Sequence, residues 1–157
     1  MKKRNNNKKK YSHIKKEFMT AHEFQYYEMF KPLESEFNII IQPQVSLISI
    51  IQRDTYYGAK YPKELNRLVD FAVFTQKYDL ILLIEIGDNS HKKRERFIRD
   101  IYVKKICNEA NIRLIFYNPS KFINEFEAQN RLRNEIIAYY DYTNYIYCYS
   151  VNNINGW

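Results

Sequence analysis

A chain of 157 residues, 45% apolar and 27% charged, has room for one domain with one core and not for two comfortable ones. Its net charge of +7 is localised: residues 1–16 hold eight Lys/Arg and no acid, leaving 17 basic against 18 acidic residues elsewhere. Cys107 and Cys148 lack any Cys-x-x-Cys or Cys/His spacing, which excludes a zinc ribbon or disulfide framework and points to the cytoplasm, while the longest apolar run, Leu80 to Ile84, is too short to span a bilayer.

The chain opens on that basic arm, residues 1–16, with Lys2, Lys3 and Arg4 at its start. Such a block repels itself and stays solvated; it serves either as a contact for a polyanion such as DNA or as a plain solvated tail. No apolar stretch follows it, so no secretory signal is expected. Residues 17–157 are read as a single domain.

Thr20 and Glu23 have the spacing of a capping box, and Phe24, Tyr27 and Phe30 recur at helical intervals. A helix is therefore expected over about residues 20–30, with Pro32 just past its end. Phe37 to Ile51, rich in Ile and Val and broken by Pro43, reads as one long bent strand or two short ones. Asp54 to Asn66 reads as a surface loop. Leu68 to Phe74 and Leu80 to Ile86 are two apolar runs joined by Thr75 to Asp79, the pattern of a hairpin of buried strands.

A helix from about His91 to Ala110 follows, capped by Asn89 or Ser90, with Ile98, Ile101, Tyr102 and Ile106 facing inward and Asn111 as its stop. Ile112 to Tyr117 is a short buried strand. Ser120 starts a further helix to about Tyr140, with Phe122, Phe126, Leu132 and Ile136 inward, and the alternation of Tyr145 to Val151 suggests an edge strand. The tyrosines near the end read either as packing or as a base-stacking platform, and no role is assigned to them. The expected fold is α/β, a mixed sheet covered by helices on both faces.

Two acids interrupt the buried runs, Asp70 and Glu85. Joined by an even-numbered loop they would sit opposite each other, sharing one face. Two adjacent carboxylates repel unless a proton or cation lies between them, and Mg²⁺ is commonly held by one or two carboxylates. The alternative is that Asp70 pairs with Arg67 or Arg99 and that Glu85 marks a strand end.

The segment from Thr20 to Tyr117 resembles the PD-(D/E)XK, or restriction-endonuclease-like, nuclease superfamily, nearest its very-short-patch-repair-like branch. The matching residues are Glu23, Pro43-Gln44-Val45, Val69-Asp70-Phe71, Ile84 through His91, Arg99-Asp100 with Lys104, and Asn111 through Leu114. The resemblance implies a sheet in the order helix, three strands, helix, strand. It implies a nuclease acting on DNA with Mg²⁺ or Mn²⁺, the metal held by Asp70, Glu85, the carbonyl of Ile86 and Glu23. Where the pattern has Lys or Asp two residues after the strand Glu, this chain has Gly87; Asp88 would substitute if a bulge at Gly87 re-aimed the strand. His91 falls on a histidine of the pattern and would move a proton or touch phosphate; as an alternative, it is a first-turn residue held by Asp88. The start of that helix, with Lys92, Lys93 and Arg94, would bind the DNA backbone, or else is a solvated basic face. Gly87 also favours a second reading, a nuclease-derived protein that binds DNA or another protein without cutting. A third is a structural protein in which arginines neutralise the two acids.

Overall fold

The computed structural model describes residues 16–52, 64–87, 93–117 and 124–154. The basic arm up to residue 15 lies outside them, as does most of the expected loop after Ile51; its last residues, Glu64–Asn66, form a 3₁₀ turn.

Helix α1 spans Ala21–Phe30, and both capping-box bonds form: the Thr20 amide donates to Glu23 Oε2 at 2.7 Å, and the Glu23 amide to Thr20 Oγ1 at 3.2 Å. Pro32 lies just past the end of α1, as expected. It starts a second helix, α2 (Pro32–Phe37), at a position where its missing N–H has no partner to lose. Asn38, left-handed at φ 52°, closes α2. Strand β1 covers Ile39–Ser46 and gives way to a 3₁₀ turn, Leu47–Ser49, that buries Leu47.

Strands β2 (Leu68–Thr75) and β3 (Leu80–Ile86) form the hairpin; helix α3 (Lys93–Glu109) then leads to β4 (Leu114–Tyr117). Asn111 sits at φ 55° just past α3 and acts as its stop. The sheet runs β1-β2-β3-β4, antiparallel except for the parallel pair β3–β4. This is a mixed α/β sheet flanked by helices.

Both faces of the sheet are covered, which is why its strands are near-continuously apolar. Helices α1 and α2 and the C-terminal helix α4 (Glu125–Ile154) pack on one face around Tyr26, Phe30, Leu33, Phe71, Tyr117 and Leu132. On the other, α3 and the two 3₁₀ turns enclose Leu47, Leu65, Val69, Leu83, Val103 and Cys107. The buried stripe of α3 is Val103, Ile106 and Cys107; Ile98 and Ile101 are exposed, because they lie on the far side of the helical turn from that i, i+3, i+4 set. Phe126 is also exposed rather than inward, and α4 presents Ala128, Leu132 and Ile136 to the sheet instead.

The expected edge strand at Tyr145 to Val151 does not form. That segment continues α4, which runs 30 residues to Ile154, because neither Gly nor Pro occurs between Glu125 and Ile154 to stop it. Two bidentate pairs fasten the helix: Arg133 with Glu36, at 2.6 and 2.9 Å, and Arg113 with Glu135. The Tyr117 hydroxyl donates to the Ala128 carbonyl at 3.0 Å.

Strand β1 is an outer strand, which is where Pro43 is tolerated. Its outward amide at Ile41 donates to Glu34 Oε1 (2.8 Å), and its outward carbonyl at Ile39 accepts from Gln76 (3.3 Å). No helix among the described residues is long and apolar enough to cross a membrane.

Candidate functional site

The register of the hairpin decides whether Asp70 and Glu85 can meet. Phe74 pairs with Leu80 across five residues, an odd connection that on its own would set Asp70 opposite Ile84. The next pair, however, is Val73 with Leu82, so Ile81 is an extra residue, a β-bulge. Beyond it Ala72 pairs with Leu83 and Phe71 with Ile84, and the following step of that register matches Asp70 to Glu85. The bulge, rather than an even loop, gives the two acids a common face.

Asp70 stands at the end of the hairpin away from the turn, largely removed from water. The Ile86 amide donates to its Oδ2 at 2.6 Å, and its carboxyl also hydrogen-bonds the carboxyls of Glu85 and Glu23. Burial chiefly, and then the charge of Glu23, push the Asp70 carboxyl up to about 6, against the opposing pull of the Ile86 amide. The site thus joins three carboxyl groups, from α1, β2 and β3, through Asp70. Glu85 also bears on α3: burial first, and then its charge, raise the Cys107 thiol to about 11.

Glu23 is held by its own helix start, since the oxygen that closes the capping box, Oε2, also accepts a bond from Gln44 Nε2 at 3.4 Å. Gln44 is the site residue that the sequence did not single out beyond its place in a matched tripeptide. Its only local signal is that it follows Pro43 in an outer strand.

At Ile86 the group seen to act on Asp70 is the amide. The Gly87 amide donates to the Tyr117 carbonyl at 2.8 Å, four residues on from the matching bond between Leu83 and Arg113. Pairing with β4 therefore stays regular up to the Gly87 amide, and the expected re-aiming of Asp88 lies outside the described residues. Asp88, His91, Lys92, Lys2, Lys3 and Arg4 lie outside the described residues; Lys93 and Arg94 form the first residues of α3.

Among the described residues, no three His, Cys, Asp or Glu side chains stand in an arrangement that holds a metal ion as they are. The donor chemistry nonetheless suits a hard divalent cation. Every donor is an oxygen, and the central carboxyl is desolvated against two of its own kind.

No curated protein and no solved structure matches this chain. Residues 15–136 match a family described as a protein of unknown function, DUF2726.

Proposed function

The chain belongs to the DUF2726 family, and from its own geometry we propose that it is a metal-dependent nuclease hydrolysing DNA phosphodiester bonds in the cytoplasm. The observation that carries this reading is the meeting of Glu23 and Glu85 with the partly buried Asp70 carboxyl. Carboxyls so placed must share protons or a cation. The resemblance of their sequence context to PD-(D/E)XK nucleases favours the cation, Mg²⁺ or Mn²⁺. The residues that would hold it are Asp70 and Glu85, with Glu23 and the Ile86 carbonyl beside them.

When bound, such an ion supplies an activated water and offsets charge on the phosphate. The chain's own residues do the rest. The Ile86 amide fixes one oxygen of Asp70. The capping box fixes Glu23. Lys93 and Arg94 at the start of α3, with Lys92 next to them in the sequence and Lys2, Lys3 and Arg4 of the arm, grip the phosphates. His91 moves a proton or touches phosphate, and Asp88 stands in for the residue that orients the attacking water.

The direct test is incubation of the protein with Mg²⁺ or Mn²⁺ and linear, circular and single-stranded DNA. Cleavage that chelator suppresses and Asp70→Asn abolishes is the expected result; undiminished cleavage by Asp70→Asn refutes the assignment. A second reading, a binding protein that has lost catalysis, is favoured by one observation: the strand runs regularly into Gly87, which has no side chain to give. DNA retention in a gel shift, with no heat on Mn²⁺ titration, would select it.

A further inference from the structure

In the middle of β1, Gln44 has a φ of 54°, a left-handed conformation that a residue with a Cβ seldom adopts. The register does not slip there, for Pro43 pairs with Phe71 and Val45 with Val69. What changes is the face. Ile39 and Ile41 point into the core beneath α1 and α4, whereas Val45 and Leu47 pack on the α3 side, although a regular strand would keep odd positions together. Strand β2 turns over at the same level, since Phe71 belongs to the first core and Val69 to the second, with Asp70 between them. Gln44 and Asp70 thus lie across from each other where both strands change face.

A turnover of this kind would suit Gly, which takes positive φ freely. A glutamine accepts the steric cost and carries a side chain, and that side chain is used: its amide donates to Glu23 Oε2. An amide also orients a carboxylate without adding the positive charge that would compete with a cation. Strain retained in this way is characteristic of functional positions.

We propose that Gln44 is a positioning residue, its left-handed backbone and its side-chain amide together holding the Glu23 carboxylate against Asp70. The inference rests on the reading of the three carboxyls as a cation site. Partners that orient a metal ligand from behind are typically worth about 10–100-fold in metal affinity.

The experiment is Mn²⁺ titration by calorimetry on the full-length chain, comparing wild type with Gln44→Met and Gln44→Gly, each also melted without metal. Met keeps the size and the backbone cost but removes the donor, and Gly removes both. The expected result is Mn²⁺ binding weakened by about 10-fold or more in both variants, with the melting temperature unchanged for Met and unchanged or higher for Gly. Wild-type affinity in a folded variant overturns the positioning role while leaving the cation site standing. Weaker binding that comes with lowered melting in both variants also overturns it, by showing a merely structural role. If only one variant folds, its affinity decides. No binding by the wild type refutes the cation site itself, and this inference with it.

Discussion

Asp70 makes its own contribution to the pH response of the fold. Its carboxyl titrates near 6 in the folded chain, against about 3.9 for a free aspartate. The folded state therefore keeps a proton that the unfolded state has lost between those values. Its contribution to stability is fullest below pH ~4, falls as pH rises to about 6, and is level above that, a loss on the order of 3 kcal/mol. Glu36 and Glu135, held low by their arginines, instead lose their contributions as pH falls. Asp70→Asn should consequently be more stable than wild type in urea at pH 7.5, with the gain vanishing at pH 4. Mg²⁺ should narrow the gap at the higher pH by stabilising wild type alone. Cys107, fully buried and with its thiol raised to about 11, should remain unalkylated in the native chain. Peptide mapping after iodoacetamide treatment, with and without denaturant, checks this. Asp70 and Glu85 were legible in the sequence because an acid within an apolar run demands a partner. Gln44 was not, because a left-handed strand residue leaves no mark in composition or periodicity.

Among the elements, those with strong local signals matched the sequence reading closely. The Thr20–Glu23 box starts α1 where its spacing indicates, and the two apolar runs become β2 and β3 with boundaries within a residue. Thr20→Ala removes one capping bond and should cost about 1 kcal/mol in denaturant unfolding. The Glu23 carboxylate keeps its bond from the residue-20 main-chain amide, so Mn²⁺ binding should be little changed. The tail of α4 was misread because alternate tyrosines fit a period of two, while Tyr142, Ile146 and Tyr149 fit a helix equally well. Leu132 and Ile136 anchor the helix on the sheet, and no Gly or Pro follows before Ile154 to stop it. Leu132→Ala should cost about 2–5 kcal/mol by cavity formation, whereas Tyr142→Ala, on an exposed position, should stay within about 0.5 kcal/mol. The bulge at Ile81 had no signal either, because an extra residue in an apolar run looks like any other member of it.

At the scale of the molecule, the sequence showed a sheet covered on both sides, since strands apolar on both faces have no other stable setting. It also showed that charge and fold are separate: residues 1–16 carry the whole excess and the remainder is close to neutral. On the nuclease proposal, deleting that segment should weaken DNA binding and flatten its dependence on salt concentration, as measured by fluorescence anisotropy. Affinity and salt slope that survive the deletion would move the phosphate contacts to the head of α3.

The outer rim of β1 has a bearing on colloidal behaviour. An unprotected strand rim is a template on which other chains can add, the ordinary route to fibrous aggregates. Here Glu34 takes the Ile41 amide, Gln76 takes the Ile39 carbonyl, and Pro43 has no hydrogen to offer. With that side closed, recruitment of a foreign strand is left to β4, only four residues long.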